Sequence, residues 1–452
     1  MDNSWRSFLK RVCTLTLPII AQNFINMAVS SADVVMLTYV GQDALSAASL
    51  AGEVMFVLSV VFFGLNSGAS VLASQYWGKG DKVTVEKVLG MSVRYSMVIA
   101  LLFASAAFFF PKFLMGLFTN EAVLITEGAK YLRIVSLSYL FSGFSMMYLM
   151  VMRSVERVTL STVTYAISLV VNIILNACFI FGLFGIPKLG IRGVATATTV
   201  ARFVELLICL IDSGRNPVIR FRMKYALGRA NPVLTKDFWK YTLPSMSNEV
   251  VWSVGITMYS VIIGHLGSDM VAAYSITKVA RNLGTVICFG ISAACAVMVG
   301  KELGAGRLKE ADVLAKRLLW VTVITSVFGG LLVIAARPIL MQMGELTEQA
   351  RIYLGIMLWV VSYYVVGQAL NSTWICGIFR PGGDATFGMF ADLIVLWCVS
   401  IPITALCAFI FKLPLMAVYV IMCLDEFIKI PFVIRRYRQR KWLKNITREF
   451  EP

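Results

Sequence analysis

Long apolar stretches recur along the whole chain and constrain its fold more than any motif does. Each is long enough, at roughly 20 residues or more, to cross a bilayer as an α-helix. The runs are solid and lack the alternation of a membrane β-barrel, so the sequence predicts an all-α integral membrane protein with twelve transmembrane helices. The stretches lie at about 14–40, 44–76, 88–110, 127–152, 160–185, 190–213, 238–266, 270–300, 312–336, 348–378, 384–411 and 413–436.

The basic residues are distributed as a membrane topology requires. The net charge is +16, from 41 Lys and Arg against 25 Asp and Glu. With both termini in the cytoplasm, the inside segments hold 29 of the 41 basic residues and the outside loops hold 8, in line with the positive-inside rule. We therefore expect a multi-pass protein of the cell (inner) membrane with cytoplasmic termini. Its charge indicates contact with membrane lipid, through the final "RRYRQRKWLK", and no nucleic-acid partner.

The chain contains two copies of one unit. "TLPIIAQNF" at 16–24 aligns with "TLPSMSNEV" at 242–250, and this offset of 226 continues without a gap for more than 60 residues. After small insertions, Arg153 aligns with Arg380. Six spans per copy, an even number, predict two parallel six-helix repeats around a central cleft, where repeat-built transporters bind substrate. The predicted N-terminal lobe, cytoplasmic linker, C-terminal lobe and basic cytoplasmic tail are residues 1–212, 213–240, 241–436 and 437–452.

This organisation favours a secondary transporter. The sequence has no G-x-x-x-x-G-K-[ST] phosphate loop, which argues against an ATP-driven pump. A flippase for a lipid-linked precursor is an alternative within transport, but it needs a basic cleft, and only four basic residues lie within the spans. A membrane-embedded enzyme or a non-transporting sensor is the alternative of another class. A single histidine, His265, and the absence of clustered ligands disfavour the enzyme.

Asp33 is an acid deep inside the first apolar stretch, in "VSSADVVMLTYVG". Placing such an acid in the membrane costs roughly 3 kcal/mol on insertion scales. A proton, a metal cation or a cationic substrate would each neutralise it, and that competition for one site is the basis of antiport. The alternative is a structural acid paired with a base on another helix, because no Lys or Arg lies within two helical turns of it in sequence.

Other polar residues in the spans are candidates for the same chemistry. Asn172 and Asn176 are one turn apart and therefore face one side of their helix. Their amide oxygens suit a hard cation, although hydrogen bonding between helices is the favoured explanation when the two residues are taken alone. Glu249 occupies the second-copy position of Asn23, and it is either a functional acid or an interfacial one. With its neighbour Gln22, Asn23 is a candidate for the substrate cleft.

Several charged residues in the spans form pairs spaced by three positions. Such pairs of opposite sign are expected to neutralise themselves as local salt bridges. Arg202–Glu205 and Glu426–Lys429 are of this kind. Lys278 and Arg281 have the same spacing but share one sign; they would repel cations or pair with acids on another helix, and the sequence leaves this open.

An ordered set of motifs resembles the multidrug and toxic compound extrusion (MATE) family. It comprises "LTLPII", "ADVVMLTYVGQDALSAASLAG", "GKGD", "NIILNACFIFG", "LGIRGVATAT", "GAGR" and "GIFRPGGDATF" followed by "IPITA". The resemblance covers nearly the whole chain. It implies two six-helix lobes around a central cleft and export of amphipathic compounds, often organic cations, by antiport with H+ or Na+.

The resemblance also implies site residues. A cation site in the N-terminal lobe would involve Asp33, Asn172, Asn176 and Thr198, with Na+ bound at the first three. Position 176 is Asn where many relatives have Asp, so Na+ binding is expected to be weaker. Another branch of the family uses acids of the seventh and tenth helices; Glu249 matches the first, and the tenth stretch has no acid.

The expected function is therefore that of an antiporter. It would export amphipathic or cationic small molecules in exchange for H+ or Na+, without catalytic residues or a cofactor. Asp33 would bind the coupling cation or proton, and Asn172, Asn176 and Thr198 would complete the site. We expect a monomer whose partners are small organic substrates and lipid.

Overall fold

The fold is described by a computed structural model over residues 5–185, 187–228, 231–342 and 346–449. The side chains of residues 27–35, of Thr38 and of Phe184 lie outside this description. Secondary structure in the described ranges is helical. Twelve long helical segments correspond to the twelve predicted stretches, and we number them α1 to α12.

The six helices of the first copy are α1 to α6, with bounds Trp5–Thr38, Gln42–Lys79, Lys82–Phe109, Ala122–Ser154, Val158–Phe181 and Ile191–Arg215. Those of the second copy are α7 to α12, with bounds Pro232–Gly264, Ser268–Gly304, Leu308–Leu340, Glu348–Phe379, Ala385–Ile410 and, in two parts, Leu415–Met422 and Asp425–Arg438. Shorter helices are Pro111–Gly116 and Met223–Leu227. Thr373–Phe379 of α10 and two segments of α11 have wider, π-type turns.

Nine of the helices in the described ranges are long and apolar enough to cross a membrane, judged by length and composition. Of the twelve helical segments, α1, α7 and α12 are not among these nine. The apolar part of α7 includes Ser247, Asn248 and Glu249, which lower its mean hydropathy. Both parts of α12 are short because the helix is interrupted at Cys423 and Leu424.

The chain divides into two compact units. The N-terminal unit consists of residues 21–73 and 81–239, and the C-terminal unit of residues 1–20, 74–80 and 240–452. The lobe boundaries expected from the sequence repeat stay a prediction.

Apolar packing builds the interior of each unit. In the N-terminal unit, Leu37 of α1, Ala47 of α2 and Val194 of α6 belong to one buried cluster. In the C-terminal unit, a larger cluster joins all six helices α7 to α12, with Tyr259, Val333 and Val365 among its members. Small residues let helices approach closely in membranes, and they do so here.

The "GKGD" and "GAGR" segments contain the last residues of α2 and α8 and the turns that follow them. The two helices cross within the C-terminal unit in direct backbone contact. A Cβ atom on Gly78 would lie 2.0 Å from the Lys301 carbonyl oxygen, and one on Gly304 would lie 1.8 Å from that of Gln75. Glycine at both positions is therefore required for this crossing. After the first turn, the Asp81 side chain caps α3 by accepting a hydrogen bond from the backbone N–H of Thr84 at 2.9 Å.

The segment after α12, residues 441–449, packs onto the C-terminal unit. Trp442 is fully buried. Gln75, also fully buried, donates from Nε2 to the carbonyls of Pro381 (2.6 Å) and Lys444 (3.2 Å), and its Oε1 accepts from the backbone N–H of Ile446 (2.9 Å). This one amide therefore joins the end of α2 to two other chain segments. Contact of the basic tail with lipid headgroups stays a prediction.

The Gln75→Leu variant is expected to loosen this junction. Leucine is close to glutamine in size, so the main change is the loss of hydrogen-bond partners for the backbone groups of Pro381, Lys444 and Ile446, of which Pro381 is buried. An unsatisfied buried group costs about 1–3 kcal/mol. We expect a lower apparent melting temperature for the protein purified in detergent. Lys79→Ala, which removes an exposed bond to the same segment, is the control, and an equal effect of both variants would contradict the prediction.

Candidate functional site

Three of the four predicted coupling residues lie together in the N-terminal unit. Asn172 and Asn176 are one turn apart on α5, and Thr198 is on the neighbouring helix α6. Asn176 Nδ2 donates to Asn172 Oδ1 at 3.1 Å, and Asn172 Nδ2 lies 3.5 Å from Thr198 Oγ1. Both asparagines are buried. The sequence expectation that the two amides face one side of the helix is met.

This cluster offers oxygen ligands and carries no formal charge of its own. Amide and hydroxyl oxygens are ligands for hard cations, but a site without a carboxylate holds a cation weakly. Asp33 is the predicted source of that charge. Its backbone belongs to α1, and its side chain lies outside the described residues.

The other first-lobe candidates, Gln22 and Asn23, are on α1. Gln22 is buried, and its Oε1 accepts hydrogen bonds from Arg153 Nη2 at 2.6 Å and from Ser161 Oγ at 3.1 Å. Asn23 is half-buried. Gln22 therefore has a defined role in joining α1 to α4 and α5.

The C-terminal unit repeats this contact with one change. Arg380, aligned with Arg153, donates from Nη2 to Asn248 Oδ1 at 2.5 Å, and Asn248 is aligned with Gln22. The same guanidinium nitrogen lies 2.6 Å from Glu249 Oε1, and the first copy has the neutral Asn23 at that position. Glu249 therefore has a cationic partner in the residue that follows α10.

The network continues across α11 and α12. Asn248 Nδ2 donates to Asp392 Oδ2 at 2.6 Å, and Lys429 Nζ lies 3.0 Å from both Asp392 Oδ1 and Glu426 Oε1. Asn371 Nδ2 donates to Glu426 Oε2 at 2.7 Å. These five residues are buried. With Glu249 and Arg380, the network holds three carboxylates and two cations.

Both charged pairs predicted from spacing are present, and one of them includes a third residue that was not predicted. Arg202 Nη1 lies 2.7 Å from Glu205 Oε1, which confirms a local salt bridge. The Glu426–Lys429 pair also forms, but Lys429 shares its ammonium group with Asp392, 37 residues away in sequence. Spacing along one helix predicts the near partner and carries no signal for the far one.

The sequence reasoning did not propose Arg380 as a site residue. It lies in the turn that follows α10 and is 5% exposed, within the network. Its alignment with Arg153 was the signal that could have identified it, because arginines at equivalent positions of a repeat indicate equivalent partners. Among the residues whose side chains are described, no group of three His, Cys, Asp or Glu is arranged to hold a metal ion.

Comparison with known proteins agrees with this architecture. The MatE family model matches the chain twice, at residues 18–178 and 244–406. The chain belongs to the MatE family, whose members are transporters and not enzymes. The two matches begin 226 residues apart (18 and 244), which is the offset of the internal repeat. The two-repeat, all-helical fold class predicted from the sequence is confirmed.

Individual MatE relatives are similar over almost their whole length. The probable multidrug resistance protein NorM of Thermotoga maritima is 24% identical over 446 residues, covering 97% of this chain and 95% of the relative. The uncharacterized transporter YisQ of Bacillus subtilis is 23% identical over 439 residues, covering 95% and 94%. The structure of the Vibrio cholerae MATE transporter VcmN in its bent form superposes with a TM-score of 0.86 at 16% identity, covering 96% and 97%.

Proposed function

We propose that this MatE protein exports amphipathic, often cationic, small organic molecules from the cell in exchange for H+ or Na+. The observation that carries the proposal is the gathering of Asn172, Asn176 and Thr198 in a member of this family. Asp33 supplies the negative charge of the site and binds the coupling ion. The name of the Thermotoga relative, a probable multidrug resistance protein, supports the substrate class.

Ion binding in the N-terminal lobe drives alternation of a central cleft between the two membrane faces. A bound cation or proton favours one packing of α1 against its neighbours, and the equilibrium between states shifts by the difference in binding free energy. The protein acts as a monomer in the cell (inner) membrane, with both termini in the cytoplasm. The excess of basic residues on the predicted inner side supports this orientation.

A second coupling position lies in the C-terminal lobe, at the network that contains Glu249. Its three carboxylates exceed its two cations by one, which favours uptake of one proton or cation. Because Glu249 is paired with Arg380, a proton there competes with a guanidinium group. The N-terminal site has no such competitor among its described members and is the primary candidate.

Uphill transport by the purified wild-type protein tests the proposal. The protein is reconstituted into liposomes with ethidium, and a Na+ gradient or a pH gradient is imposed separately. We expect ethidium to accumulate against its own gradient with one of the two ions, and an ionophore for that ion to abolish accumulation. Saturable binding without any flux would instead support a sensor, and movement of a labelled lipid-linked precursor without ethidium flux would support a flippase.

A further inference from the structure

Two basic residues lie in the middle of α8, and their role was left open by the sequence. Lys278 and Arg281 follow the helix start at Ser268 by 10 and 13 residues. At 1.5 Å per residue they are about 15 and 20 Å from that end of the helix, which is near the centre of a hydrocarbon core about 30 Å thick. Side chains at this depth are too short to extend to the headgroups.

Among the described residues, neither Lys278 nor Arg281 has an acidic partner, because no carboxylate of that part of the chain lies within 4 Å of their nitrogens. Other cations of the same unit are paired: Arg380 with Glu249, and Lys429 with both Asp392 and Glu426. Glu249, Asp392 and Glu426, the acids of the network in the C-terminal unit, are therefore already paired with other bases.

The surroundings of the pair are aromatic. Lys278 Nζ lies 5.6 Å from the ring centroid of Tyr274, and the rings of Tyr274 and Tyr419 meet edge to face at 6.3 Å. Arg281 is within electrostatic range of these two tyrosines and of Tyr364. All three tyrosines are buried, whereas Lys278 and Arg281 are half-buried and remain accessible. The two cations therefore lie at the exposed edge of an aromatic cluster.

The fold of the repeat does not require these charges. At the offset of 226, the first copy has Gly52 and Met55 at the positions of Lys278 and Arg281. Those residues lie in the equivalent long helix, α2. An isolated cation in the membrane costs roughly 3 kcal/mol on insertion scales, and such residues normally face a partner or a water-filled cavity. Two like charges one turn apart add mutual repulsion.

We propose that Lys278 and Arg281 form a binding subsite for an anionic group of the transported molecule. The ligand class is a carboxylate, sulfonate or phosphate on an aromatic or amphipathic body, including zwitterions. The guanidinium of Arg281 binds such an oxyanion through paired N–H donors, the ammonium of Lys278 adds a second charge, and Tyr274 offers its ring to the apolar body. The inference rests on the proposed transport function and extends its substrate class beyond cations.

Transport of an anionic and a cationic dye by the same liposomes tests this subsite. Purified protein in liposomes of phosphatidylcholine alone, so that no anionic lipid competes, is assayed with pyrenesulfonate and with ethidium. The double variant Lys278→Gln/Arg281→Gln is compared with Arg351→Gln/Lys412→Gln, which removes the same charge at exposed positions. We expect the first variant to lose pyrenesulfonate transport about tenfold or more and to retain ethidium transport, with the control unchanged for both dyes.

The possible failures are distinguishable. Ethidium transport without pyrenesulfonate transport by the wild type, or an equal loss of both dyes in the variant, overturns the subsite and leaves the proposed function intact. If the wild type transports neither dye, the proposed function fails. The subsite is then tested separately, by titrating pyrenesulfonate into the protein in detergent. Saturable binding weakened by the double variant supports it, and absent or unchanged binding overturns it.

Discussion

The Arg380→Met variant is expected to be destabilised by about 3–5 kcal/mol, the cost of removing one partner of a buried ion pair. Arg380 is 5% exposed and bonds both Glu249 and Asn248 through Nη2, at 2.6 and 2.5 Å. Methionine fills much of the volume but leaves the Glu249 carboxylate, whose side chain is only 16% exposed, without this cation. The measurement is the temperature at which half of the protein, purified in detergent, is lost from the monodisperse fraction.

The sequence repeat provides a matched control for this experiment. Arg153→Met removes the equivalent arginine, but Asn23 stands at the position of Glu249, so no carboxylate loses its partner. Gln22 also retains its bond from Ser161. We expect a smaller loss in Arg153→Met, and partial recovery when Glu249→Gln is added to Arg380→Met. Equal losses in the two arginine variants, without recovery, would show that the arginines act through packing alone.

The Asp33→Asn variant is expected to abolish ion-driven accumulation of substrate. Asn172, Asn176 and Thr198 are all neutral, so Asp33 is the one ionisable group of the proposed set. A coupling ion shifts the transport equilibrium only through a difference in affinity between states, and an uncharged site gives a proton no such difference. Ethidium accumulation under the preferred ion gradient should fall to the level of liposomes without protein.

Moving the charge within the site makes this test more specific. Asn176→Asp in the Asp33→Asn background restores one carboxylate next to Asn172, and we expect partial recovery of accumulation. In the wild-type background, the same substitution adds a second acid and should lower the Na+ concentration for half-maximal transport by about tenfold, equivalent to about 1.4 kcal/mol. Asp43→Asn, outside the proposed site, is the control. Accumulation by Asp33→Asn equal to that of wild type would move the coupling site to the network at Glu249.

Local patterns predicted much of this molecule. The apolar stretches predicted the helices because a chain in a bilayer must satisfy its backbone hydrogen bonds within each segment. The spacing of Asn172 and Asn176 predicted that their amides face one side of the helix, and the spacing of Arg202 and Glu205 predicted their salt bridge, because residues three or four apart are neighbours on any helix. Thr198 was identified through the family resemblance; it lies 3.5 Å from Asn172, and its role in the site stays a prediction.

The sequence by itself determined the helices, their grouping into two copies and the pairs within one helix, because each depends on residues close in the chain or on an alignment of the chain with itself. Only the tertiary structure decided which charges neutralise each other across helices. Arg380 meets Glu249 from a distance of 131 positions, and Lys429 adds Asp392 to its near partner Glu426, whereas Lys278 and Arg281 meet no acid among the described residues. The free energy of a buried charge depends on the groups within a few ångströms of it, and helix packing brings those groups together regardless of their separation in sequence.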